Sequence, residues 1–123
     1  MMAKSVLIVE DNEHQRNIYA SILRFSGYEV VEAASGTEAI EKAASDQPHL
    51  ILLDLVLPDM NGIDVARSVK RNQRSAHIPI IVCSAFSTGE EKEDSLSAGV
   101  VDYLRKPISS QVLKAKIEKF ILP

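Results

Sequence analysis

The chain has 123 residues, 46% apolar and 25% charged, with a formal net charge of −3 from 14 Lys and Arg against 17 Asp and Glu. That length allows one ordinary domain with one core. The acidic balance argues against a nucleic-acid module, which needs a basic stripe to neutralise phosphates, and no apolar run approaches the roughly 18 residues of a membrane span. The start, Met1-Met2-Ala3-Lys4, has no long apolar signal region, and Cys83 has no partner for an internal disulfide, as in a reducing compartment. A cytoplasmic protein is expected, with no direct contact to membrane or nucleic acid.

Short apolar blocks alternate with longer amphipathic stretches. Val6-Leu7-Ile8-Val9 is continuous, as expected of a central strand buried on both faces. A helix follows on the spacing of Ile18, Tyr19, Ile22 and Leu23, with Gly27 placed to end it. Strands are predicted at Glu29–Ala33 and Leu50–Leu53, separated by a helix that opens at the capping box Ser35-Gly36-Thr37-Glu38. Ile63, Ala66 and Val69 mark a third helix. The fourth strand is placed at 78–83, with Pro79 near its start, where a strand tolerates proline best. Residues 88–98 make a weak fourth helix with little apolar surface beyond Leu96 and Ala98. A strand at 100–104 precedes a last helix lined by Leu113, Ile117, Phe120 and Ile121, with Lys116 at its edge.

Five strand–helix pairs predict a parallel sheet covered on both faces, because parallel strands need crossovers and helices make them. The expectation is one α/β domain over residues 1–123, strands near 5–9, 29–33, 50–53, 78–83 and 100–104, with no output domain. Open sheets of this kind place their sites beyond the carboxyl ends of the strands. The predicted strands end in Glu10-Asp11, Asp54, Ser84 and Lys106-Pro107. Taken singly, these are unremarkable: Glu10-Asp11 could cap the first helix, and a lone Ser usually satisfies backbone. Together they bring three carboxylates, a hydroxyl and an ammonium to one rim.

Clustered carboxylates repel one another unless a cation sits among them. Mg²⁺ (or Mn²⁺) suits their hard oxygens, with Asp11 and Asp54 as direct ligands and Glu10 acting through a water. Asp54 could then attack phosphorus as a carboxylate nucleophile, giving an aspartyl phosphate. The metal and Lys106 would offset charge on the transferring oxygens, and Ser84 would hydrogen-bond one of them.

At Val6-Leu-Ile-Val-Glu10-Asp11, Leu50-Ile-Leu-Leu-Asp54-Leu-Val-Leu-Pro58-Asp-Met-Asn-Gly62, Ile80-Ile-Val-Cys-Ser84-Ala85 and Ala98-Gly99-Val-Val-Asp-Tyr103-Leu-Arg-Lys106-Pro107, the sequence resembles the receiver domains of two-component response regulators. The resemblance covers essentially the whole chain. It implies a flavodoxin-like, doubly wound (βα)5 sandwich with strand order 2-1-3-4-5, in a domain that catalyses its own phosphorylation and slow autodephosphorylation but is primarily a signalling protein. It implies Asp54 as phosphoacceptor, Glu10 and Asp11 as the acidic pair, the Val56 carbonyl on the metal, and Lys106 with a cis bond to Pro107. Ser84 and Tyr103 form the implied switch pair. Glu10 stands where Asp is more usual, altering the water-mediated part of the metal shell. Val56 and Phe86 occupy positions that tune dephosphorylation. Both are apolar and cannot orient an attacking water, so a comparatively long-lived aspartyl phosphate is expected.

The implied donor is a phosphohistidine on a sensor histidine kinase or a histidine phosphotransfer domain, docking on the first helix and the loop after Lys106. Ile18 and Ile22 are assigned to core packing and Phe25 to docking. Ile108 and the surface between the fourth and fifth helices suit a downstream target, an attached output domain or a like subunit in a homodimer. The fourth helix, with Glu90-Glu91-Lys92-Glu93-Asp94, is the expected moving part because it offers few core contacts. A flavin- or nucleotide-binding protein of this fold class is disfavoured by the acidic loop Glu10-Asp11-Asn12-Glu13, which has no phosphate cradle. A hydrolase with an aspartyl nucleophile would need a general acid where Val56 stands. A degenerate receiver, acting only as an interaction module, would lack site residues that are all present here. His14, His49 and His77 are too scattered for a metal site, and Cys83 is expected to pack in its strand.

Overall fold

The computed structural model describes residues 3–85 and 89–121. The continuous apolar blocks have side chains to bury on both sides, and the chain meets that demand with helices on each face of one sheet. In chain order the elements are β1 (Ser5–Val9), α1 (Glu13–Phe25), β2 (Glu29–Ala33), α2 (Gly36–Asp46), β3 (Leu50–Leu53), α3 (Gly62–Arg71), β4 (Ile80–Ser84), α4 (Gly89–Ser97), β5 (Asp102–Arg105) and α5 (Ser110–Ile121). The strands pair in parallel in the order β2-β1-β3-β4-β5, as the resemblance implied. No helix among the described residues is long and apolar enough to cross a membrane.

Strand alternation divides the core in two. Leu7, Val9, Ile51, Leu53, Ile80 and Val82 face α2 and α3 with Ala39, Ala43, Val65, Ala66 and Val69. Val6, Ile8, Leu50, Leu52, Ile81 and Cys83 face α1 and α5, meeting Ala20, Leu23, Leu113 and Ile117. Each fully buried aliphatic side chain contributes about 1.5–3 kcal/mol.

Helix ends follow their sequence signals. Asn12, rather than Glu10 or Asp11, caps α1, its side chain accepting from the Gln15 N–H at 2.9 Å. At the other end Gly27 takes φ +96°, and the Tyr28 and Gly27 N–H groups reach back to Leu23 and Arg24 carbonyls, a Schellman closure. The capping box forms with a one-residue shift: Ser35 accepts from Glu38 N–H, and the Glu38 carboxylate accepts from Ala34 N–H.

Three expectations need correction. The fourth strand begins at Ile80 and not at 78, because Ile78 N–H is bonded into a turn with Ser75 and its carbonyl accepts from the Lys70 ammonium at 2.6 Å. The fifth begins at Asp102 rather than 100, because Val100 N–H closes the end of α4 on Ser95. Ile18 is 45% exposed: the turn of α1 aims Tyr19, Ala20 and Leu23 at the sheet, leaving Ile18 at the edge and Ile22 partly buried. In α4 the buried residue is Ser95, its hydroxyl donating to the Glu91 carbonyl, while Leu96 is 46% exposed.

One glycine ties the fold to its rim. A Cβ on Gly62 would lie 2.6 Å from the Asp54 carbonyl oxygen and 2.6 Å from Leu55 Cα, both backbone atoms. Gly62→Ala must therefore displace the segment just after β3. The expected loss is about 1–3 kcal/mol, the scale of core overpacking, read as a lower urea midpoint; an unchanged midpoint would show that the segment yields freely.

Candidate functional site

The ladder hydrogen bonds do not stop where the strands end. Glu10 N–H donates to the Ala33 carbonyl at 3.0 Å, Asp54 N–H to Val9 at 3.0 Å and Lys106 N–H to Ser84 at 2.8 Å. Each residue is thus held one step beyond its strand by a neighbouring strand, and their side chains gather over β1, β3 and β4. The Lys106–Pro107 bond is cis.

The Lys106 ammonium lies 2.5 Å from Glu10 Oε1 and 3.3 Å from Asp54 Oδ2. Their side chains are only 12%, 3% and 11% exposed, respectively, so these are semi-buried charges whose loss of hydration must be offset by pairing. Burial works against the charge on Lys106, but the Glu10 hydrogen bond and the charges of Asp54 and Glu10 outweigh it and raise its pKa above the ordinary lysine value. Glu10 Oε2 accepts from Asn12 N–H at 3.2 Å, and Asp54 Oδ1 from Val56 N–H at 3.2 Å. Asp11 is exposed at the mouth of the cleft. Glu10, Asp11 and Asp54 each bring a carboxylate oxygen within 4.8 Å of the others, the one such group of potential metal ligands found among the described residues. The cleft they line, with Val56 and Lys106, has a volume of about 220 Å³.

Buried polar residues sort into two kinds. Ser75 and Ser95 donate to carbonyls of neighbouring helical turns, which accounts for them structurally. Glu10, Asp54 and Ser84 are the others, and all lie at the rim. Ser84 is fully buried as the last residue of β4. Tyr103, half-buried against the α2/α3 core, has its hydroxyl pKa raised by burial, with a Ser84 hydrogen bond opposing the rise and the Glu91 charge adding to it. Phe86 lies outside the described residues.

Beneath the cleft, burial pushes the Cys83 thiol up to about 11, and its sulfur lies 3.7 Å from the Tyr19 hydroxyl. A thiol so poorly ionised packs rather than reacts. His49 Nδ1 accepts from Ser5 N–H at 3.0 Å, at the opposite end of β1, which accounts for it without a metal.

Sequence reasoning missed several supporting residues. Gln15 Oε1 accepts from Lys106 at 2.8 Å, and the Arg16 guanidinium donates to the Glu10 carbonyl at 2.9 Å and to Glu32 at 3.1 Å. Asp59 accepts from Gly36 N–H, Thr37 N–H and the Thr37 hydroxyl at 2.7–2.9 Å. It thereby caps α2 and anchors the loop that follows Asp54. Only Asn12 carried a local signal, a cap residue preceding a periodic helix.

A protein-family model described as the response regulator receiver domain matches residues 6–118. The polar-differentiation response regulator DivK of Brucella ovis is 39% identical over 108 residues, 88% of each chain. Among solved structures, a putative response regulator from Chloroflexus aurantiacus superposes with TM-score 0.93 at 29% identity, covering 99% of this chain and 100% of that one. The receiver domain of a sensor histidine kinase from Pseudomonas aeruginosa, described with a magnesium ion coordinated in its active-site cleft, gives 0.90 at 30% identity and 98% coverage of both.

The Asp59 anchor has a pH signature. Hydrogen bonds from the Thr37 hydroxyl, then from the Thr37 and Gly36 N–H groups, hold its carboxyl at about 2, below the ordinary 3.8. A depressed carboxylate stabilises the fold above its ordinary pKa and loses that contribution as pH falls through its folded value. The stability gap between wild type and Asp59→Asn, from urea unfolding, should be flat at neutral pH and shrink as pH falls from about 3.8 toward 2. A gap independent of pH across that window would rule the anchor out.

Proposed function

The chain belongs to the response regulator receiver family, the switch domains of two-component phosphorylation signalling, and from that premise we propose that Asp54 accepts a phosphoryl group from a phosphohistidine donor. The observation that carries this reading is the strand-end constellation: a semi-buried Asp54 paired with Lys106, beside Glu10 and Asp11 and level with Ser84. A phosphorus–oxygen bond forms to Asp54 as the phosphorus–nitrogen bond breaks, and the electron pair leaves with the imidazole. Lys106 offsets charge on the transferring oxygens, and Ser84 hydrogen-bonds one of them.

The three hard carboxylates fit Mg²⁺ or Mn²⁺. Asp11, Asp54 and the Val56 carbonyl would hold it, with Glu10 acting through a water. When bound, the ion neutralises charge on the phosphoryl oxygens. The product gains about two negative charges at Asp54. Ser84 turns toward them, its loop is drawn inward, Tyr103 fills the space that this vacates, and the α4 surface changes with it. The weak packing of α4 supports this: Ser95 is its buried residue, and a helix so lightly held repacks at low cost.

The partner is a sensor histidine kinase or a histidine phosphotransfer domain, meeting α1 and the loop after Lys106, where Ile18 and Ile108 line an apolar groove beside the cleft. Phe25, 90% exposed, extends that surface. Exposed Leu96, Val101 and Val112 support a target, output domain or second copy on the α4–β5–α5 face.

Incubation with acetyl phosphate and Mg²⁺ should add about 80 Da to the intact mass of wild type and nothing to Asp54→Asn. Labelling of both would place the acceptor elsewhere, and labelling of neither would leave an interaction module. Val56 and Phe86 offer no group to orient water, so Val56→Asn should shorten the lifetime of the adduct; unchanged decay of the phosphorylated protein would remove Val56 from that role.

A further inference from the structure

A lysine ammonium has three hydrogens to donate, and in Lys106 all three are assigned. Glu10 takes one at 2.5 Å, Gln15 one at 2.8 Å and Asp54 the last at 3.3 Å. The two shorter bonds lie on the side of β1 and α1, and the longest goes to the residue proposed to react. Gln15 lies in the first turns of α1, three residues after the Asn12 cap. It lines both the acidic cleft and the apolar groove beside it. Its carbonyl oxygen is neutral, so it takes a hydrogen from Lys106 without adding to the crowd of carboxylates.

We propose that Gln15 is a positioning residue that, with Glu10, holds the Lys106 ammonium off Asp54 in the resting protein and so keeps the Asp54 oxygen available as a nucleophile. Glu10, Gln15 and Asp54 compete for the same ammonium. With Gln15 withdrawn, the ammonium has only the two carboxylates left and closes on Asp54. An Asp54 oxygen locked in a short charge-assisted bond has a lone pair already engaged and attacks phosphorus more slowly. The inference rests on the phosphoacceptor reading above.

Gln15→Met keeps the length of the side chain and removes the acceptor without changing the charge of the site. Gln15 is exposed, so the change should not move the thermal midpoint. The initial rate of labelling by acetyl phosphate should fall about fivefold in Gln15→Met, the scale of one net hydrogen bond. A direct readout is the ¹H–¹⁵N spectrum of the Lys106 ammonium in metal-free protein, whose resonance should shift in Gln15→Met. A Gln15→Met protein with a wild-type rate, or with an unmoved resonance, overturns the proposal. Wild type that takes no label at all overturns the phosphoacceptor reading instead.

Discussion

Three carboxylates brought to one sheet edge are a problem the fold has to solve before the site can do anything. Two like charges about 4 Å apart repel by about 4 kcal/mol at an effective dielectric near 20, a large part of the roughly 5–15 kcal/mol that stabilises a domain. Lys106 answers that repulsion by placing its ammonium against Glu10 and Asp54. It can do so because its own N–H continues the β4–β5 ladder onto the Ser84 carbonyl. The pairing is therefore set by backbone register, and register in a parallel sheet follows from which side chains each strand must bury.

The same register explains why the site lies at the end of the sheet that it does. Asp54 and Glu10 are each fastened by a ladder bond to the strand beside them, so the carboxylates inherit the rigidity of a core whose aliphatic side chains are almost wholly buried. Rigidity is unevenly shared. α1, α2 and α5 pack with buried apolar residues, whereas α4 presents Ser95 to the core. Among the described residues the least anchored helix thus lies next to β5, which carries Tyr103.

Much of this was legible in the sequence because strands buried on both faces write continuous apolar blocks, and the residues just past those blocks have to stand at the rim. Asp54, Ser84 and Lys106 could be read that way. The starts of β4 and β5 could not, since Ile78 and Val100 are apolar but spend their backbone groups on a turn, on Lys70 and on the end of α4. Ile18 was misjudged because the spacing of Ile18, Tyr19, Ile22 and Leu23 describes an arc wider than the stripe that touches the sheet. Gln15 and Asp59 carry no local signal, being exposed polar residues whose partners lie 91 and 22–23 positions away. Only the fold brings those pairs together.

Glu10 shows how one methylene divides the labour at such a rim. All its polar atoms are engaged: N–H on Ala33, carbonyl from Arg16, Oε1 from Lys106 and Oε2 from Asn12 N–H. An aspartate at the same backbone position would be shorter by about 1.5 Å, one carbon–carbon bond. The extra methylene lets one carboxylate meet the Lys106 ammonium at 2.5 Å and the Asn12 N–H at 3.2 Å. The longer side chain is nearly buried and fully satisfied, so it acts as the counter-charge that seats Lys106. Asp11, exposed at the mouth, and Asp54, with the longest of the lysine's three bonds, are then the less fully engaged carboxylates of the cleft.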